Sequence, residues 1–175
     1  MDIITLSQLS EMLPRGRSRA PRFIAPLNNA MHVYHINAPL RIAAFIAQIG
    51  HESGSLLYVK ELASGNAYEG RQDLGNIFPG DGVKYKGRGL LQITGRSNYL
   101  KCGNALRIDL ISHPELLEQP IYAALSAAWY WDRHGLNELA DRRAFKQITK
   151  VINGGYNGLA EREFMYNNCK KILGI

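Results

Sequence analysis

Apolar residues return every three or four positions from Ile42 to Leu57: Ile42, Phe45, Ile46, Ile49 and then Leu56 or Leu57. That spacing predicts a helix with one apolar face. Asn37 is suited to cap it and Pro39 to occupy its first turn. Gly54 predicts an end just after Glu52. Upstream, residues 3–13 read as a short amphipathic helix capped by Thr5 or Ser7 and stopped by Pro14. A second helix runs from Pro21 to about His35, with Phe23, Leu27, Met31 and Tyr34 as its buried stripe. Downstream, helices are predicted from Asn98 to about Leu106, Pro120 to about His134, Arg143 to Ile152 and Leu159 to Leu173. In the second of these, Ala123, Ala124, Ala127 and Ala128 allow close packing, and Tyr122, Leu125, Trp129 and Trp131 supply bulk. Between Ser64 and Gly89 the periodicity fades. Eight of the 17 glycines fall between Gly65 and Gly95, and Pro79-Gly80-Asp81-Gly82 is a turn signal. Tyr85 to Thr94 reads as a short hairpin or extended segment. The pattern is that of one domain over residues 1–175, mainly α (α+β), with a small β or irregular segment among helices.

Composition narrows the picture. Apolar residues make up 46% and charged residues 21%, as in a soluble globular protein. No apolar run reaches the roughly 20 residues of a membrane-spanning helix, so no stable membrane insertion is expected. The first 14 residues carry Asp2 and Glu11 and lack the apolar core of a signal peptide. Synthesis in the cytoplasm is therefore expected, with any extracytoplasmic substrate reached by another route. The net charge of +6 directs the chain toward anionic partners. Its basic residues are scattered and form no aromatic-interleaved strip, which disfavours nucleic acid. Cys102 and Cys169 fit no metal spacing and are expected as reduced thiols, with a pairing between them left open. His32 and His35 lack further ligands nearby and read as surface or packing residues. No cofactor or metal motif appears.

The candidate chemistry lies in two carboxylates. Glu52 falls on the apolar face, at the negative end of the helix dipole, and both surroundings disfavour a charged carboxylate. Such a group suits a general acid. Nine residues later, Glu61 sits in a polar, irregular setting that favours the charged form. A neutral acid beside a charged base is the pattern of glycoside hydrolysis. The glycine-rich segment adds Tyr68, Arg71, Tyr85, Arg88, Gln92 and Thr94, groups able to bind sugars. A long irregular segment in a compact domain is commonly functional.

Four segments occur in order: His51-Glu52-Ser53-Gly54; Glu61 to Tyr68; Gly87-Arg88-Gly89-Leu90-Leu91-Gln92-Ile93-Thr94-Gly95 with Asn98-Tyr99; and Ile152-Asn153-Gly154-Gly155. Together they resemble glycoside hydrolase family 19, the chitinase-like group that includes many phage endolysins, over residues 28–165. The short gap between Glu52 and Glu61 is similar to the compact bacterial and phage branch. The resemblance implies a lysozyme-like helical fold with a central cleft and an inverting mechanism. Glu52 would be the general acid and Glu61 the general base, about 6.5–9.5 Å apart to admit a water. By the same resemblance, Thr94 would help hold that water, and Gln92 and Asn98 would hydrogen-bond sugar hydroxyls or acetamido groups. Asn153 would support substrate and base from the far wall, and Arg162 would support the acid, opposing the effect of burial. Glu69 is a rival base, but the spacing favours Glu61. Asn157 stands where many plant members have a carboxylate, and the loops that build distant sugar subsites are missing.

The expected function is a cell-wall hydrolase, a phage or prophage endolysin cutting β-1,4 bonds of peptidoglycan glycan strands. It would act as a monomer without cofactor and depend on a holin or another lysis partner to leave the host cytoplasm and reach the wall. The alternatives are a chitinase, an interbacterial toxin of the same chemistry, or a non-catalytic wall-binding module. Bland roles also fit several residues: Trp129 and Trp131 as core, Arg88 as partner of a structural carboxylate, Gln92 and Asn98 as turn and cap.

Overall fold

The structure, a computed structural model, describes residues 2–175. Nine α-helices lie among them: α1 Leu6–Met12, α2 Ala20–Val33, α3 Pro39–Glu52, α4 Asp81–Lys84, α5 Arg96–Leu106, α6 Pro120–Arg133, α7 Leu136–Asp141, α8 Phe145–Asn153 and α9 Leu159–Leu173. Thr5 caps α1 in a reciprocal arrangement with Gln8.

The hub is α3, which packs against α9 and α7, while α2 packs against α6. Helix α3 does not have the single apolar face its spacing predicts. Every residue from Ile42 to Gly50 is buried, so the helix is enclosed on all sides. The small residues Ala43, Ala44, Ala47 and Gly50 make this possible by letting neighbours approach. A Cβ on Gly50 would stand 2.5 Å from a Leu13 methyl. Each large side chain buried here, such as Phe45 or Ile49, stabilises the fold by about 1.5–3 kcal/mol. Phe45 meets Trp131 of α6 edge-on with ring centres 5.4 Å apart.

Other boundaries move. The position before α3 is Ala38, without a side-chain cap, and Asn37 lies one residue too early. Helix α5 starts at Arg96, so Asn98 sits within its first turn rather than before it. The predicted helix from Arg143 starts at Phe145, because Arg143 adopts a left-handed conformation at φ 58°. The six-residue α7 was not predicted; it is too short to show a periodicity. Of the expected β element there are two isolated antiparallel bridges, Lys60 with Arg88 and Arg88 with Ile93.

The glycine-rich segment folds over a second, smaller core of Tyr85, Ile93, Tyr99, Cys102, Leu110, Leu117 and Trp129. Its clamp is Asp81, buried, which accepts from Arg96 at 2.8 and 2.7 Å and from the amides of Ile77 and Phe78. The Arg96 guanidinium holds the Asp81 carboxyl below the usual carboxylate range. Glu69, the rival base, accepts from the amides of Gly80 and Gly82 at 2.7 and 2.8 Å. Both its oxygens are engaged in shaping the turn. Cys102 and Cys169 are free thiols buried in different cores.

Candidate active site

One wall of the site is the C-terminus of α3. Glu52 is its last residue, with a side chain 26% exposed. The backbone then makes a left-handed run, Gly54, Ser55 and Leu56, with φ of 58°, 58° and 67°. For Ser55 and Leu56 this geometry costs about 1–2 kcal/mol each. It is held by Ser53, whose hydroxyl accepts from the Leu56 amide at 2.9 Å, and by Arg19, which donates to the Ser55 carbonyl at 3.1 Å. Strain of this kind is concentrated at functional sites.

Glu52 pairs with Arg162 of α9, whose side chain is only 1% exposed. The guanidinium also donates to Gln48 Oε1 at 2.6 Å and to the Asn157 carbonyl at 3.1 Å. Gln48 in turn donates to Thr149 Oγ1 of α8 at 2.8 Å. A buried arginine is thus supplied with three acceptors, two from α3 and one from the loop after α8, which its desolvation requires. The expectation that Glu52 sits among apolar neighbours is corrected here: it lies at a half-open rim beside a cation. Gln48 and Thr149 were missed by sequence reasoning. The available signal was a glutamine one turn before Glu52 in an otherwise apolar run.

The other wall carries Glu61. Its amide donates to the Gly87 carbonyl at 2.9 Å, and its Oε2 accepts from the Gly87 amide at 2.9 Å. Oε1 accepts from the Tyr68 hydroxyl at 3.0 Å. Burial, reinforced by the Glu61 carboxylate, pushes the Tyr68 hydroxyl up, so it stays a donor. Tyr68 is therefore placed as the residue that orients Glu61. Arg88 fixes the strand-like contacts behind them. It exchanges backbone hydrogen bonds with Ile93 at 3.1 and 2.7 Å, and its side chain meets Glu118 at 2.8 Å and the Tyr99 hydroxyl at 3.0 Å. Lys60 joins Glu118 at 3.1 Å. Burial would raise the Glu118 carboxyl, but Arg88 and Lys60 outweigh it and hold it low.

Gln92 links the walls. A Cβ on Gly87 would stand 2.7 Å from Gln92 Oε1 and 3.1 Å from Glu61 Oε2. Any side chain at position 87 would displace the ends of Gln92 and Glu61 from that point. Gln92 also lines a pocket of about 230 Å³ with Glu52, Leu91, Thr94, Tyr130 and Ile152. An adjoining pocket of about 310 Å³ shares Gln92, Thr94 and Tyr130 and extends past Asn98 and Trp129. Glu52, Gln92, Thr94 and Asn98 thus line two pockets that share Gln92, Thr94 and Tyr130; Glu61 lines neither, and its carboxylate lies near the Gln92 amide at Gly87. Asn98 additionally donates to the Thr94 carbonyl at 2.8 Å, fixing that turn.

Asn153 is placed differently from expectation. Its Oδ1 accepts from the Asn157 amide at 3.1 Å, and Ile152 lines the pocket instead. Asn153 shapes the loop whose Asn157 carbonyl receives Arg162. Trp131 is core, bonded to Asn137 at 3.0 Å, whereas Trp129 is 8% exposed at a pocket wall. Tyr130 was also missed. Burial, and then the charge of Glu52, push its hydroxyl up, and it donates to the Val151 carbonyl at 3.2 Å. Its signal was weak, since it lies between two tryptophans in an alanine-rich helix. Among the described residues no group of three or more His, Cys, Asp or Glu is arranged to hold a metal, and no helix is long and apolar enough to cross a membrane.

A helical domain with one carboxylate, Glu52, in a pocket and a second, Glu61, beside the Gln92 that lines it points to the class, and comparison with known proteins defines the family. The family model described as "Chitinase class I" of glycoside hydrolase family 19 matches residues 36–138. A glycosyl hydrolase family 19 domain-containing protein of Haemophilus influenzae is 33% identical over 156 residues, covering 71% of this chain and 76% of that protein. An endochitinase of Arabidopsis thaliana is 36% identical over 119 residues, covering 67% of this chain but only 41% of its own length. Among solved structures, a bacterial family 19 chitinase superposes with a TM-score of 0.80 at 26% identity, covering 99% of this chain and 96% of that one. Chitinase C of Streptomyces griseus superposes with a TM-score of 0.78 at 25% identity, covering 98% and 77%. The chain belongs to glycoside hydrolase family 19, the chitinase-like glycoside hydrolases, and has their lysozyme-like helical fold.

Proposed function

We propose that the protein hydrolyses β-1,4 glycosidic bonds of the peptidoglycan glycan strand by single displacement. The observation that carries the reaction is the junction at Gln92 and Gly87, where the groove holding Glu52 meets the hydrogen-bonded Glu61. In this reading Glu52 protonates the leaving oxygen and Glu61 takes a proton from the attacking water. Thr94, in the groove wall, holds that water, and Gln92 and Asn98 bind sugar substituents. Tyr68 and the Gly87 amide fix Glu61, and Arg162 fixes Glu52. Inversion needs about 6.5–9.5 Å between the two carboxyl groups.

The net charge of +6 favours an anionic wall polymer over neutral chitin. In that setting the protein would act as a phage or prophage endolysin, released to the wall by a holin or a similar partner. The second reading, chitin hydrolysis, is favoured by the relatives named endochitinases. Both polymers contain N-acetylglucosamine, so the groove chemistry serves either. The test is digestion of purified peptidoglycan and of chitin oligomers, with mass spectrometry of the new reducing ends. Muropeptides with new reducing sugars are expected. Cleaved chitin beside intact peptidoglycan would assign the second reading. Binding of both without turnover would leave a wall-binding module. Rapid NMR of the first product should show an inverted anomeric centre; a retained one overturns the mechanism.

A further inference from the structure

The pocket adjoining the Glu52 groove has a feature that hydrolysis of a neutral sugar chain does not use. Lys101 of α5 lies three residues after Asn98, and Arg133 of α6 lies three after Tyr130 and four after Trp129. These are same-face spacings on a helix, and all five residues line the one pocket. Lys101 and Arg133 are both exposed. No acidic residue lines this pocket. Among the described residues neither cation makes a salt bridge, in contrast to Arg41, Arg88, Arg96 and Arg162, each of which meets a carboxylate. The Arg133 guanidinium rests over the Trp129 ring at 5.8 Å, which directs it along the pocket wall. The ring stack of Tyr130 on His134, at 4.0 Å between centres, lines the same pocket.

We infer that this pocket is a subsite for a carboxylate-bearing sugar, with Lys101 and Arg133 as its anion-binding pair. A sugar lying from Glu52 past Gln92 and Asn98 brings its neighbour against the two cations. In peptidoglycan that neighbour carries a lactyl group, ending in a carboxylate or in a peptide with carboxylates of its own. Chitin offers no negative charge at any position. The pair therefore selects the anionic glycan and sets the register in which it crosses the two catalytic carboxylates. This inference rests on the peptidoglycan reading for its natural ligand, but the pocket's preference for a carboxylated sugar is testable alone.

The experiment compares wild type with K101Q/R133Q and with K101E/R133E, all checked for unchanged thermal unfolding. Two measurements are made. The first is kcat/KM on peptide-free glycan strands with free lactyl carboxylates, divided by that on chitin hexamers. The second is the affinity for the muramic acid–glucosamine disaccharide, divided by that for chitin dimer, at low and high salt. Both ratios should fall about tenfold in the neutral variant and further in the reversed one, as for loss of a partly exposed charged contact. The salt dependence of the first should flatten. Strands cleaved by wild type with neither ratio moved by the substitutions would overturn the subsite and leave the hydrolase reading standing. Strands left intact by wild type, with a binding preference that the substitutions abolish, would do the reverse. No preference in wild type by either measurement would overturn the subsite outright.

Discussion

Glu52 rides on a helix buried from Ile42 to Gly50 and is met by an arginine that is itself 1% exposed and satisfied by Gln48 and the Asn157 carbonyl. Glu61 sits in a segment without a regular element, held by two backbone bridges, one tyrosine hydroxyl and one glycine amide. The first carboxylate is positioned by the core, the second by a handful of hydrogen bonds at the surface. Their partners differ accordingly. Removing the buried Arg162 behind Glu52 reaches the core through α3, whereas removing the Tyr68 hydroxyl beside Glu61 touches a single hydrogen bond.

The sharpest way to break the comparison is to remove each carboxylate. Glu52→Gln and Glu61→Gln should each lower kcat by about 10²–10⁴-fold, as for loss of a general acid or base, with little change in unfolding temperature. Undiminished turnover of either variant by reducing-end release would remove that residue from the mechanism. Next comes Arg162→Met. It orphans Gln48 and Glu52 and should destabilise the protein by about 3 kcal/mol, the low end for a buried pair because Glu52 is partly exposed. Urea unfolding reads this directly. A loss below about 1 kcal/mol would place the Glu52 wall in the class of surface pairs.

Asp81→Asn probes the frame of the other wall. The folded-state pKa of Asp81 is lowered by Arg96, so its contribution is present above the ordinary carboxylate pKa of about 4 and fades as pH falls through the lowered value. The asparagine variant should lose about 2 kcal/mol at neutral pH and show a flatter dependence of stability on pH below about 4. An unchanged acid-unfolding profile would reassign the clamp. The smallest effect is expected for Tyr68→Phe. One hydrogen bond to Glu61 is worth about 1 kcal/mol, so kcat should fall about fivefold with KM and stability nearly constant. A change confined to KM would make Tyr68 a sugar-binding residue after all.

The helices were legible in the chain because their signals are local. Phe23, Leu27 and Met31 are buried on α2 as their spacing predicts, and Thr5 and Pro14 bound α1. Errors came where a boundary depended on one residue's backbone state, as at Arg143, or where an element was too short for a period, as in α7. The side-chain partners of the candidate site residues were not legible. Gln48 looks like an ordinary polar interruption of an apolar run; 114 residues separate it from the arginine it satisfies. Asn153 looks like a cleft amide, and the structure adds that its Oδ1 accepts from the loop beneath Arg162.

By itself the sequence determined the seven longer helical segments but not α4 or α7, that α3 ends at Glu52, and that two acidic groups stand nine residues apart across a change from periodic to glycine-rich chain. Those features follow from side-chain spacing and backbone freedom, which act within a few residues. Only the tertiary structure decided that Glu52 meets a guanidinium, that Glu61 is aimed by Tyr68 and Gly87, and that Lys101 and Arg133 converge on one pocket. Those outcomes depend on which distant helices share a core, because a buried charge accepts whatever partner the packing delivers.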